Sequence, residues 1–100
     1  MSSLKKIKEL FSSRFGRAIS EDQGYFTSML ITINDEEFLI CFPRSLHEYI
    51  YGKIISLKNT SFLDCDRILL DPRGLFIFAR SPEEFVEKTY AKALRMIRNE

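Results

Sequence analysis

Residues 25–42, Y-F-T-S-M-L-I-T-I-N-D-E-E-F-L-I-C-F, decide the fold that this sequence predicts. Residues 25–33 are rich in β-branched and aromatic side chains, which favour strands. A polar break at residues 34–36 separates them from a second apolar run, so the pattern predicts a β-hairpin. Because residues 38–42 are apolar at five consecutive positions, both faces of that strand should be covered. We therefore place it near the middle of a sheet.

Helical patterns flank this hairpin at both ends of the chain. Apolar residues recur at helical spacing over residues 3–15, and Gly16 supplies a stop, which predicts a first helix there. The polar residues 17–24 then predict a loop. Near the C-terminus, residues 81–84 (S-P-E-E) combine a Ser cap, Pro at the first helical position and Glu at the capping-box position. This combination predicts the start of the last helix.

Two interpretations stay open for the segment that follows the hairpin. Residues 45–48 (S-L-H-E) fit a capping box, so a helix should begin there. We favour one helix to about residue 57, because apolar residues continue at helical spacing. The alternative is a short helix to Tyr51 and a strand over residues 53–58, since Gly52 suits a break.

A second hairpin is predicted before the last helix. Asp71, Pro72 and Gly74 occupy the positions that these residues favour in a type I turn. The turn would join apolar strands at residues 67–70 and 75–79, with a marginal strand at residues 61–63 before them.

The predicted order is therefore α-ββ-α-βββ-α, an α+β fold with a single antiparallel sheet of about five strands and three helices. We expect one domain over residues 1–100, with a disordered start at residues 1–3 left open. The order resembles the roadblock or profilin-like topology, and the resemblance rests on element order alone. It implies a scaffold role, often as a dimer.

Composition narrows the class of protein. The chain has 100 residues, 45% hydrophobic and 29% charged, which suits one soluble domain. No apolar run approaches the length of a membrane span, and the first residues lack the apolar stretch of a signal peptide. We expect a cytoplasmic protein with no membrane partner. The single Gln, the lack of Trp and the many Glu, Lys, Arg and Ile residues lean toward a thermophilic source.

No catalytic or cofactor motif emerges from the sequence. Cys41 and Cys65 have no Cys or His at zinc spacing, so we expect buried thiols, with a disulfide left open. His47 is explained by the capping box, and the acidic residues at 64, 66 and 71 fit no calcium loop. Glycine-rich phosphate-binding patterns are missing as well. We expect a protein that is not an enzyme, with no metal site, no cofactor and no small-molecule ligand.

Charge is segregated along the chain although the formal net charge is only +1. Residues 1–20 carry five basic side chains and one acidic one, whereas residues 21–42 carry five acidic and no basic side chains. Lys5, Lys6 and Lys8 also oppose the dipole of the first helix. A place where local preference is broken is a candidate for function.

These features support two functional hypotheses. The first is a protein-interaction module or accessory subunit that binds a protein partner or a second copy of itself. A helix cannot bury both Tyr49 and Tyr51 on one face, so one should be exposed beside His47. The candidate interface residues are Tyr49, Tyr51, His47, Asp35, Glu36 and Glu37.

The alternative hypothesis is an accessory nucleic-acid-binding protein that uses the basic first helix. Its candidate contacts to phosphates, or to an acidic protein partner, are Lys5, Lys6, Lys8, Arg14 and Arg17.

Overall fold

A computed structural model describes residues 2–44, 48–58, 60 and 63–99. In this part of the chain, three helices and five strands follow one another in the order α-ββββ-α-β-α. They are α1 (Ser2–Phe15), β1 (Ile19–Gln23), β2 (Phe26–Ile33), β3 (Glu36–Pro43), β4 (Ile50–Ser56), α2 (Cys65–Leu70), β5 (Leu75–Ala79) and α3 (Pro82–Arg98). The predicted class, an α+β fold with one five-stranded antiparallel sheet and three helices, is confirmed.

The sheet is a meander in which each strand pairs antiparallel with the next, in the order β1-β2-β3-β4-β5. The predicted hairpin is confirmed as β2 and β3. Its two turn residues, Asn34 and Asp35, have φ values of 52° and 65°. Two left-handed residues in succession match the twist of the strands they join, which suits a tight hairpin. The apolar strand β3 occupies the centre of the sheet, as the sequence predicted.

Helices α1 and α3 cover one face of the sheet and form the main core. Phe11 of α1, Phe42 of β3 and Phe85 of α3 are completely buried, and their ring centroids lie 5.4–6.4 Å apart. Gly52 lies beneath Phe85, where an added Cβ would come within 2.8 Å of the ring. Only glycine allows β4 and α3 to approach this closely.

The predicted end of α1 and the predicted start of α3 are confirmed. Gly16, with a φ of 77°, follows the last residue of α1. At the start of α3, the Ser81 hydroxyl accepts a hydrogen bond from the backbone N–H of Glu84 (3.1 Å). The Glu84 carboxylate in turn accepts one from the backbone N–H of Arg80 (2.6 Å). These reciprocal bonds satisfy donors that the first turn of a helix leaves unpaired.

The second face of the sheet is covered by α2 over β2, β3 and β4. Ile68 of α2 packs on Leu39 and Ile55, and a disulfide joins Cys65 of α2 to Cys41 of β3, with Cα atoms 5.6 Å apart. Gln23 holds the start of this helix, because its side-chain oxygen accepts a hydrogen bond from the backbone N–H of Cys65 (2.9 Å). The disulfide that the sequence left open is thus present, and the expectation of free thiols is wrong.

The helix that we favoured up to residue 57 is wrong, because residues 50–56 form β4. The alternative, with a strand over residues 53–58, is closer. Strand β4 lies between β3 and β5 and is covered on both faces over most of its length, so its apolar residues do not alternate. The predicted helix start at residues 45–47 lies outside the described residues.

Two further elements differ from the prediction. The predicted loop at residues 17–24 contains β1, an edge strand whose side chains are mostly exposed and therefore polar. The predicted strand at residues 67–70 belongs to α2, whose two buried residues, Cys65 and Ile68, lie one turn apart. The turn after Leu70 therefore joins a helix to β5, and the second hairpin is wrong.

The marginal strand is not found either. Leu63 is not part of a strand, and residues 61–62 lie outside the described part of the chain. The resemblance to the roadblock or profilin-like topology rested on an order of elements that the structure does not have.

We predict that the disulfide contributes about 3 kcal/mol to the free energy of unfolding, because it closes a loop with a sequence separation of 24. Reduction, or the double substitution Cys41→Ala and Cys65→Ala, should lower the stability by this amount in urea unfolding. The double variant is the control, since reductant should not change its midpoint. An identical wild-type midpoint with and without reductant would contradict the prediction.

Candidate functional site

Three aromatic side chains lie exposed on the second face of the sheet, beside the area that α2 covers, and a fourth precedes strand β4. They form what we call the aromatic surface: Tyr49, Tyr51, Phe76 and Phe78, with exposed fractions of 56%, 42%, 47% and 61%. Tyr51 and Phe78 are directly opposite each other across β4 and β5. The rings of Phe76 and Phe78 stack with their centroids 6.4 Å apart. Arg80 lies over the ring of Tyr49, with its Cζ atom 5.7 Å from the centroid.

The alternation of strand side chains explains why these residues are exposed. In β5, Ile77 and Ala79 point toward the helices and are buried, so Phe76 and Phe78 point toward the opposite face. Helix α2 packs on β2, β3 and β4 and leaves this side of the sheet open. With side-chain areas of the usual aromatic size, the exposed part amounts to roughly 400 Å². Patches of this size on small proteins often serve binding.

A buried lysine lies beside Phe76, on the same face of the sheet as the aromatic surface. Lys53 is only 1% exposed, its Nζ atom donates a hydrogen bond to the Asp71 carbonyl oxygen, and it lies 5.1 Å from the centroid of the Phe76 ring. Burial lowers the pKa of Lys53. The ammonium group ties β4 to the turn before β5 and contacts the ring of Phe76, its cross-strand neighbour. Sequence analysis missed this residue, although a lysine within an apolar strand is a signal that a buried partner must exist.

The acidic residues considered for metal binding do not come together. The Asp71 carboxylate accepts hydrogen bonds from the backbone N–H, the Nε and the Nη2 of Arg73 (2.8, 3.0 and 2.8 Å). The bonds from the Arg73 side chain are the main cause that lowers the pKa of Asp71 to about 2. Asp64 and Asp66 are exposed at the start of α2. Among the described residues, no group of His, Cys, Asp and Glu could hold a metal ion.

The basic residues of the first helix face carboxylates of the same chain. Lys6 Nζ lies 2.7 Å from the carboxylate of Glu83, and Arg14 Nε lies 3.0 Å from that of Glu87. These two carboxylates belong to the N-terminal half of α3. Glu83 compensates Lys6, which opposes the dipole of α1, whereas Arg14 lies in the last turn of α1, where a cation is favourable.

The remaining members of the basic set differ from one another. Lys8 Nζ lies 3.5 Å from Asp22 of β1. Arg14 also lies over the ring of Tyr90, 4.4 Å from its centroid. Lys5 and Arg17 are exposed and have no ion pair within the described part of the chain. The five side chains therefore do not form one free basic patch.

The predicted interface residues occupy different environments. Tyr49 and Tyr51 are both exposed, whereas a helix was expected to expose one of them, because Tyr49 precedes β4 and Tyr51 lies on the uncovered side of that strand. Asp35 and Glu37 are exposed near the hairpin turn. Glu36 is buried: its carboxylate accepts a hydrogen bond from Ser56 Oγ (2.8 Å) and lies 3.2 Å from Lys58 Nζ. The remaining candidate, His47, lies outside the described residues.

Sequence analysis missed Phe76 and Phe78, which it placed in an apolar strand without singling them out. An apolar strand is expected to be covered on both faces, and nothing local to residues 75–79 indicates that one face has no cover.

A separate open cleft of about 400 Å³ lies between the ends of the strands and the C-terminal part of α3. Its lining includes Glu36, Arg73 and Arg95. The first two already bond to Ser56 and Asp71. This arrangement favours a structural role for them over ligand binding.

Comparison with protein-family models, with curated proteins and with solved structures finds no match to this chain. The described helices include none that combines the length and the apolar character needed to span a membrane. The functional interpretation therefore rests on the geometry of the aromatic surface.

We predict that Asp71 makes the fold sensitive to acid. Its pKa is about 2, below the ordinary value of 3.8, so its contribution to stability is complete above pH 3.8 and is lost as the pH falls through about 2. Asp71→Asn should be less stable than the wild type at neutral pH, and the difference should shrink across this acid range. Unfolding midpoints in urea at several pH values measure it.

Asp66→Asn, at an exposed carboxylate in α2, is the control, because it leaves the bonds between Asp71 and Arg73 intact and should keep the loss of stability that Asp71 causes near pH 2. A constant difference between Asp71→Asn and the wild type from neutral pH to pH 2 would contradict the prediction.

Proposed function

We propose that this chain is a small protein-interaction module, an accessory subunit that binds a protein through the aromatic surface. The observation that carries the proposal is the exposure of three aromatic side chains on one half of a sheet face and of a fourth just before strand β4. Aromatic residues and arginine are the side chains that contribute most to binding energy in protein interfaces. Arg80 beside Tyr49 adds the arginine to this set.

The rigidity of the surface supports the same proposal. Tyr51, Phe76 and Phe78 project from two paired strands and not from loops. The strand residues between them, such as Gly52 and Ile77, are buried against the core on the other side. Side chains held in place before binding lose less conformational entropy when a partner docks.

The proposal assigns no catalytic residue, no cofactor and no small-molecule ligand to the chain. The buried or partly buried charged residues have structural partners: Asp71 binds Arg73, Glu36 binds Ser56, and Lys53 binds the Asp71 carbonyl oxygen. Groups that hold the fold together in this way support a binding role over a chemical one.

We further propose a cytoplasmic location and a thermophilic source, and these two parts of the proposal belong together. Disulfides are rare in the cytoplasm of mesophiles but common in intracellular proteins of hyperthermophiles. The Cys41–Cys65 bond fits a cytoplasmic protein best if the source is thermophilic.

The double substitution Phe76→Ser and Phe78→Ser should abolish binding. Truncation of an aromatic residue at the centre of an interface typically costs about 2 kcal/mol, which weakens affinity about thirtyfold for each side chain. The protein is purified from its native host, its complexes are sized by light scattering and the bound polypeptide is identified by mass spectrometry. Affinity for that polypeptide, or for a second copy of the chain, is then measured by calorimetry.

Tyr25→Ser is the matched control, because Tyr25 is also an exposed aromatic residue (88%) but lies in the turn between β1 and β2, at the edge of the sheet opposite β5. This variant should bind like the wild type. A wild-type chain that is monomeric and free of any bound polypeptide, or a double variant with unchanged affinity, would contradict the proposed function.

The alternative of nucleic-acid binding through α1 has weaker support, since Lys6, Lys8 and Arg14 pair with carboxylates of the same chain. We expect no retardation of short DNA or RNA in a gel at physiological salt. Retardation that disappears in the triple variant Lys5→Glu, Lys6→Glu and Lys8→Glu would establish the alternative instead.

A further inference from the structure

Strand β5 forms an open edge of the sheet beside the aromatic surface. Within the described residues it pairs only with β4, so one row of its backbone groups faces away from the sheet. Successive residues of an edge strand direct their N–H and C=O groups alternately toward the neighbour and away from it. The Phe78 carbonyl oxygen accepts a hydrogen bond from Lys88 Nζ (2.7 Å). Phe78 and, two residues before it, Phe76 therefore carry the outward-facing backbone groups.

We propose that a second copy of this chain pairs with that edge, β5 against β5, around a two-fold axis. This inference rests on the proposed function and names its partner. Antiparallel pairing of a strand with its own copy satisfies two-fold symmetry without further adjustment. The two five-stranded sheets would then form one continuous sheet.

The outward-facing groups select the register of the pairing. With the two-fold axis at Ile77, Phe76 of each copy lies opposite Phe78 of the other. Both outward-facing residues then exchange backbone hydrogen bonds with the second copy. The same register brings the exposed rings into cross-strand contact and joins the two aromatic surfaces on one face.

The charges around β5 permit two identical edges to approach each other. Residues 75–79 carry no charge. Arg73, before the strand, is neutralised by Asp71, whose carboxylate lies 2.8 Å from its guanidinium group. Arg80, after the strand, lies over Tyr49. A copy of this chain therefore meets no unpaired like charge along the strand itself.

The size of the contact indicates a reversible dimer. Stable interfaces bury about 800 Å² on each partner, whereas the aromatic surface exposes roughly 400 Å². Lys88 also occupies the Phe78 carbonyl in the single chain and must release it before the edges pair. Lysines placed at sheet edges oppose strand pairing in this way. Lys88 keeps a second partner in Glu84, 3.5 Å away, after it leaves the strand.

Sedimentation equilibrium of the purified chain over micromolar to millimolar concentrations tests the inference. The mass should rise from 11.8 kDa toward twice that value. Lys88→Ala should tighten the dimer about fivefold. In this variant the edges can pair without first breaking the hydrogen bond from Lys88 Nζ to the Phe78 carbonyl oxygen. Lys92→Ala, which removes the same charge from the same helix, should leave the affinity unchanged. Phe76→Ser with Phe78→Ser should abolish the dimer.

Amide hydrogen exchange identifies the surface that pairs. The amides of Phe76 and Phe78 should exchange more slowly as the concentration rises, while those of the opposite edge strand β1 should not change. A doubled mass without protection of these two amides would overturn the inference, because the dimer would use another surface. A wild-type chain and a Lys88→Ala variant that both stay monomeric would also overturn it. In that case the proposed function survives only if the wild type captures a different polypeptide and the Phe76 and Phe78 double variant does not.

Discussion

The central strand β3 requires cover on both faces, and the rest of the structure follows from this requirement. Phe38, Ile40 and Phe42 on one face and Leu39 and Cys41 on the other are all buried. Each side chain of this kind gains about 2 kcal/mol when it leaves water. Helices α1 and α3 together are long enough to cover the first face. The second face depends on α2, which has only six residues.

The shortness of α2 connects the core to the proposed function. Six residues can cover only part of a five-stranded sheet, and the disulfide fixes that cover at β3. Strand β5 and the start of β4 therefore keep aromatic residues that no described element covers on the α2 face of the sheet. In a chain of 100 residues, no further described element is available to bury Phe76 and Phe78. The same constraint that stabilises the centre of the sheet thus leaves the aromatic surface at its side.

The fold also brings together charged residues that are far apart along the chain. Along the sequence, a basic segment precedes an acidic one, which predicts a dipolar molecule. In the fold, Lys6 and Arg14 of α1 meet Glu83 and Glu87 of α3, which are more than 70 residues away in the chain. Ion pairs at an exposed surface contribute little to stability individually. Their effect here is to neutralise the cations, which weakens the case for binding to phosphates.

The class of fold and much of its centre could be predicted from the sequence. Local chemistry determines the start of α3 at Ser81 and Pro82, the end of α1 at Gly16 and the hairpin at residues 25–42. Each of these signals depends only on residues that are close neighbours in the chain. The sequence also predicted the exposure of a tyrosine at Tyr49 or Tyr51.

Only the tertiary structure decided which apolar segments are strands and which apolar faces stay exposed. Residues 50–56 and 67–70 have apolar patterns that suit either a helix or a strand, and the choice depends on neighbours distant in the chain. Strand β4 is a strand because β3 and β5 pair with it on both sides. Phe76 and Phe78 are exposed because α2 ends over β4. Burial is a property of what packs nearby in space, and no local pattern of residues contains that information.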